Sequence, residues 1–456
     1  MRRARLLAGL VITAVILLSA TSLAFALPEL PVDAFQSSDN CGCHSAFLET
    51  WGRSMHAQAL TDPLYRVKLD EANKATDGAL GPFCDACHAP VAVMAGLGGD
   101  PTAMPPQAAE GVGCDFCHQV TGTTEPIGNV SQEVAGDGVK RAPFDDSNSP
   151  AHETAYSAFH ESAEFCGACH NVDHPGNGLH LEATYTEWKE GPYAEEGITC
   201  QDCHMTPGPG VTKPNPGTAA AGGPQREHVN TMTFAGGNVG LGDSVLAEER
   251  LQAACELELV APEIVAPGET VDIQTTITNV GAGHYVPTGL TEVREMWLEV
   301  TATDPEGNSE VVGEHRFGTI LADGEGNAPV ELWEAEAIAS DDRIPPRESV
   351  TDAFEYTMPE GGEIELAATL YYRSAPEEMA EKAGVELPTT TMVQSTMGVF
   401  GSEEVMAEAG TPDEGGDGGG TNLLFVLVVL IAAAAAIGFL VLRRRGKGGG
   451  EGAGAA

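Results

Sequence analysis

Phe165–Met205 reads FCGACHNVDHPGNGLHLEATYTEWKEGPYAEEGITCQDCHM and holds the pattern C-x-x-C-H twice, at Cys166/Cys169/His170 and at Cys200/Cys203/His204. The same pattern stands upstream at Cys84/Cys87/His88 and Cys114/Cys117/His118. Histidine supplies only 13 of 456 residues. Four histidines falling by chance behind four C-x-x-C pairs is on the order of a one-in-a-million event, and the pattern is that of covalent c-type haem attachment. Zinc ribbons use paired cysteines but give histidine no reason to follow each pair. Residues three apart on a helix share a face, so both sulfurs reach the two vinyl groups along one haem edge. The next residue then brings its imidazole to the iron. The sequence therefore predicts four haem c groups, with His88, His118, His170 and His204 as proximal ligands.

A fifth pair departs from the rule. Ser37–His56 reads SSDNCGCHSAFLETWGRSMH, in which Cys41 and Cys43 precede His44 with one residue between the cysteines instead of two. On an α-helix Cys41 would lie about 200° from Cys43 and point away from the haem edge. One reading keeps a fifth haem, bonded through Cys43, ligated by His44 and joined by Cys41 if the turn unwinds. The other makes the site a relic. The first is the expectation carried forward, and the second stays open.

Eight histidines remain after these five. They are His56, His152, His160, His174, His180, His228, His284 and His315. Singly each reads as a surface or core residue, yet seven of them lie in or near the cysteine-bearing region. An iron closed by two imidazoles suits electron transfer, because no position is left for substrate.

The stretch from Cys43 to His204 resembles the cytochrome c-554-like group of multihaem c-type cytochromes. The resemblance is carried by Trp51-Gly-Arg-Ser54-Met-His56, by His160–Met205, by REHVNTMTFAGGN around His228, and by GAGHYVPTG (Gly281–Gly289). It covers most of residues 38–300 and fails at Asn40, where the family has cysteine. It implies His56, His160, His228 and His284 as distal ligands, with His152 next. His174 and His180, in a Pro/Gly loop, rank lower, and His315 belongs to a strand surface.

The ends of the chain read as targeting signals. Arg2, Arg3 and Arg5 precede an apolar run, and Ala24-Phe25-Ala26 is a small-x-small cleavage site, so residues 1–26 are expected to be a signal peptide. Leu423–Leu442 carries no charge and is followed by Arg443, Arg444, Arg445 and Lys447, the pattern of a single membrane span with a cytoplasmic tail. The haem and β domains are accordingly expected on the extracytoplasmic face of the cell membrane. The formal charge of −44 excludes a nucleic-acid partner. It suits a surface kept solvated in high salt, or equally an ordinary acidic exported protein.

The expected fold class is α+β: an irregular, mainly helical multihaem domain, an antiparallel β-sandwich and one C-terminal transmembrane helix. The boundaries read as 27–250 for the haem domain and 251–400 for the sandwich, followed by linker 401–422, span 423–442 and tail 443–456. In the sandwich Val271, Ile273, Thr275 and Ile277 alternate. Short helices are expected near Phe47–Met55, Thr154–His160 and Leu181–Lys189, and Cys255 reads as a buried thiol at the junction.

The leading function is a membrane-anchored electron carrier exchanging electrons with other redox proteins, with self-association open. The alternative is a multihaem oxidoreductase acting on nitrogen or sulfur compounds at one open haem, for which the Cys43 site is the expected location. A third reading is a subunit of an extracellular cytochrome filament. No C-x-x-C-K site, which would favour the enzyme, is present.

Overall fold

The computed structural model describes residues 27–409. Residues 27–254 form short helices joined by loops and four two-stranded ladders. Their helices begin where the sequence supplies caps. Asp62 accepts from Leu64 N at 3.0 Å and Pro63 opens Pro63–Ala75, which buries Leu64, Leu69 and Ala72 along one face. Thr199 and Asp202 form a capping box at Cys200–His204. Three of the four C-x-x-C-H motifs lie on short helices, Gly81–His88, Cys114–Gln119 and Cys200–His204, and the fourth runs off Ala163–Gly167 into a turn.

The remainder adds a two-stranded ladder, Thr319–Ala322 with Ala337–Asp341, to a sandwich of seven strands: β1 (Cys255–Val260), β2 (Thr270–Asn279), β3 (Glu295–Thr303), β4 (Ser309–Phe317), β5 (Ser349–Thr357), β6 (Glu363–Arg373) and β7 (Thr390–Phe400). They pair antiparallel as two sheets, β5-β2-β1 and β4-β3-β6-β7. Alternate residues point inward: Val271, Ile273, Thr275 and Ile277 on β2 are buried, as are Met296, Leu298, Val300 and Ala302 on β3 and Leu366, Ala368 and Leu370 on β6. Cys255 opens β1 inside this core.

The two parts are packed together. Helix Ser244–Ala254 crosses the boundary read at residue 250 and passes directly into β1. Pro63–Ala75 meets Glu377–Ala383 through Leu64, Val293, Ala375 and Met379, with Lys382 Nζ 3.1 Å from Glu71.

The fold class expected from the sequence is corrected in two respects. The haem-motif region is not helix alone but mixes its short helices with several small two-stranded sheets. Thr154–Tyr156, expected as helix, is a strand pairing parallel with Lys140–Ala142, and only Ala158–Glu161 makes a 3₁₀ turn. His180–Glu182 is likewise a strand before helix Thr184–Lys189. These pieces are too short for helix to pay its nucleation cost, and β-branched and aromatic residues favour the ladder. Second, among the described residues no helix is long and apolar enough to cross a membrane. The span expected at 423–442, its tail and the signal segment 1–26 lie outside the described residues. The expected linker begins with helix Glu403–Ala409.

Candidate haem sites

All ten paired cysteines line one continuous cavity of about 1510 Å³, together with eleven histidines. Only His180 and His315 lie outside it. Within it histidines from distant parts of the chain face each other in pairs. His118 and His160 have ring centroids 5.8 Å apart, at 12° between planes. His204 and His284 stand 6.1 Å apart at 19°, His56 and His170 6.2 Å at 37°, and His44 and His152 6.3 Å at 27°. Two metal–imidazole bonds of about 2 Å, with about 1.1 Å from each nitrogen to its ring centre, separate centroids by ~6.2 Å. The four pairs match the spacing of two imidazoles on opposite sides of one iron. The residues present fit haem c.

The outer nitrogens are held as such a site requires. Nδ1 of His44 lies 2.7 Å from the Ala219 carbonyl, that of His88 2.9 Å from Ala59, that of His118 2.6 Å from Arg141 and that of His204 2.8 Å from Ala235. Among the facing histidines, Nδ1 of His284 reaches the Tyr285 carbonyl at 2.8 Å, that of His152 the Glu153 carbonyl at 3.1 Å and that of His160 the Ser157 hydroxyl at 3.0 Å. A carbonyl at Nδ1 fixes the proton there and leaves Nε2 for a metal. Nε2 of His160 also lies 3.0 Å from the Cys117 carbonyl. Burial lowers His56 and His204 to about 3 and His160 to about 4, keeping these imidazoles in the neutral form that binds metal.

His88 differs. Its ring stacks on Tyr65 at 3.7 Å and 5°, and among the described residues no histidine ring faces it. The Tyr65 hydroxyl donates to Asp85 at 2.6 Å, inside the same C-x-x-C-H motif. His228, expected as a distal ligand, faces no motif histidine. Its Nδ1 accepts from Asn215 N at 3.0 Å, and its Nε2 sits 3.1 Å from Asn230 Oδ1. His174 accepts from Gly176 N at 3.1 Å, His180 meets Asp173 at 2.5 Å, and His315 meets Asp352 at 2.8 Å on the sandwich.

The irregular pair is not on an α-helix. Two 3₁₀ turns, Ser38–Asn40 and Gly42–His44, meet at Cys41, so the helical offset computed for Cys41 does not apply. Cys41 and Cys43 both line the cavity. The opposed open iron expected at Cys43 is not favoured here, because His44 faces His152 while His88 faces no histidine.

Cysteines of different motifs also meet. Cys41 lies beside Cys114, Cys87 beside Cys169 and Cys166 beside Cys200, and Cys117 is also near Cys169. These contacts string the His44, His118, His170 and His204 sites in that order, with the His88 site beside His170.

Sequence reasoning missed the polar residues behind the ligands. Glu187, on helix Thr184–Lys189, accepts from Tyr285 N at 3.1 Å and Thr288 Oγ1 at 2.6 Å and pairs with Arg343. No local pattern marks it, since its partners lie about a hundred and more residues away.

Comparisons with known proteins bear on the family and on the fold. A family model described as cytochrome c554 and c-prime matches residues 40–119. The match stops well short of Gly281–Gly289. A penta-haem cytochrome c552 from Thermochromatium tepidum is similar in structure, with TM-score 0.61 and 21% identity over 81% of this chain and 100% of that one. The likeness is one of fold. A CARDB domain from Pyrococcus furiosus covers 32% of this chain and 85% of that one at 14% identity, and its TM-score of 0.18 carries no argument. No curated protein matches the chain.

Proposed function

We propose that this chain is a multihaem c-type cytochrome that carries electrons through four bis-histidine haems and a fifth haem at His88, a reading supported by the family match over residues 40–119 and by the likeness of fold to a penta-haem cytochrome. The observation that carries this reading is the set of four facing imidazole pairs at 5.8–6.3 Å. Haem c supplies one-electron transfer when bound. The chain's part would be to supply both histidines of each pair, to hold the Nδ1 proton of seven histidines, His88 included, on a carbonyl or hydroxyl and that of His170 on a carboxylate, and to bring neighbouring attachment cysteines close together. The His44 site is included because His152 faces His44 and because the unwound turn leaves both Cys41 and Cys43 on the cavity. Other redox proteins are the partners.

We place the haem and β domains outside the cytoplasm, on the signal-like residues 1–26 and on haem attachment being an extracytoplasmic chemistry. Cell fractionation tests this, and recovery of the haem protein in the cytosol would refute it.

A second reading attaches to His88 alone. With Tyr65 and not a histidine as its ring neighbour, this site is the one that can leave an axial position for a small ligand, so oxidoreductase activity belongs there and not at Cys43.

Haem stoichiometry with an axial-ligand spectrum tests both readings. Five haems, four low-spin and one that binds carbon monoxide, is the expected result, and Cys43→Ser should lower the haem mass by one unit. A native mass with four haems would make Ser37–His56 a relic, and a protein with several open irons would overturn the bis-histidine assignment.

A further inference from the structure

Four of the five motif histidines direct Nδ1 at a main-chain carbonyl, and one does not. Nδ1 of His170 meets Glu182 Oε1 at 3.3 Å. The carboxylate is fixed there by local structure: Glu182 lies opposite Val172 in the ladder Val172–Asp173 with His180–Glu182, so it stands across from the residue two past His170. His170 is open to the cavity though deep within the fold, while Glu182 is largely covered, so the pair faces the haem space and not bulk water.

We propose that Glu182 is a positioning residue that lowers the reduction potential of the His170 haem below those of the other bis-histidine haems. A full negative charge accepting the Nδ1 proton pushes electron density toward Nε2 more than a carbonyl dipole does. A more basic ligand favours the ferric state, and hydrogen bonding behind the ligand is one of the protein's levers on potential. The position of the site gives the device a use. Through Cys169 the His170 site adjoins both Cys87 and Cys117, and through Cys166 it adjoins Cys200. A low-potential centre at this junction does not store the electron. It hands charge to its neighbours and keeps the His88 site coupled to the row.

The proposal rests on the haem reading above, and its test separates the two. Purified holoprotein is titrated potentiometrically, with optical and electron paramagnetic resonance detection, as wild type, Glu182→Gln, Glu182→Asp and Glu190→Gln, the last removing an exposed carboxylate of the same region. The wave of the His170 haem is identified by its loss in a Cys166→Ser/Cys169→Ser variant. Glu182→Gln should move that wave alone to higher potential, by about tenfold in the redox equilibrium, which is ~59 mV for one electron. Glu182→Asp should move it less, Glu190→Gln should leave it in place, and haem count and spin state should not change. Equal movement of every wave, or none, would overturn the assignment while leaving the haems in place. Absence of haem at His170 would overturn both.

Discussion

Glu292 has both carboxylate oxygens buried without a hydrogen-bond partner. Burial pushes it up to about 7, opposed by its own backbone N–H, Arg294 and Lys68, with Glu182 adding to the rise. A carboxyl whose folded value exceeds its unfolded value binds its proton more tightly in the native state. Its contribution to stability is therefore whole below about pH 4.5 and is lost as pH rises through 7. Glu292→Gln keeps the shape and removes the charge. It should leave the unfolding midpoint unchanged near pH 4.5 and raise stability at pH 8, by up to about 3 kcal/mol for a shift of this size. Thermal melts of the two proteins across that range check it. A difference independent of pH, or a variant weaker than wild type at pH 8, would mean that Lys68 and Arg294 already satisfy the charge.

The loop Gly281–Gly289 shows how an element of the sandwich serves a site outside it. A Cβ at Gly281 would collide with the Ala253 carbonyl, and one at Gly283 would come within 3.2 Å of the Tyr193 ring, so the glycines permit the close approach. Asn279 holds the loop from β2, donating to the His284 carbonyl at 2.9 Å and to Ile344 O at 3.1 Å. Glu187 holds it from the other side through Tyr285 N and Thr288. The Glu187–Arg343 pair is nearly dry, with both side chains under a tenth exposed, and Asp341 shares the guanidinium at 2.8 Å. Removing one member of a buried pair commonly costs about 3–5 kcal/mol. His284→Ala should open the His204 site, giving a high-spin signal and new carbon monoxide binding at unchanged haem count. Glu187→Gln should open it in part of the population, because the loop loses its anchor but keeps its ligand. A His284→Ala protein that stays wholly low-spin would remove His284 from the ligand set.

At the scale of the whole molecule, what could be read in the sequence follows from what kind of force fixes each feature. Covalent attachment demands a local spacing, so Cys84–His88 and its three counterparts were legible at once. The period-two burial of Val271, Ile273, Thr275 and Ile277 is also local. The facing of histidines is not: His56 reaches His170 and His204 reaches His284 across the fold, and nothing near His228 announced that Asn215 and Asn230 would occupy both its nitrogens. Tyr65 beside His88 left no trace in either motif. Composition adds one property that belongs to no single site. With 67 acidic residues against 23 basic ones, the net charge of −44 surrounds the haem cavity with a negative field. Such a field raises the local concentration of cations and repels anions, and it reaches only about 10 Å at 0.1 M salt. A small cationic redox reagent should therefore exchange electrons with the protein at least about tenfold faster than an anionic reagent of similar driving force at 10 mM salt. The gap should close as salt rises toward 1 M, where the screening length is about 3 Å. Stopped-flow rates against ionic strength measure it directly. Basic redox partners would be favoured by the same field. Equal rates for the two reagents at low salt, or a ratio that ignores salt, would mean that the haem edges are reached through a locally neutral gap in the acidic surface.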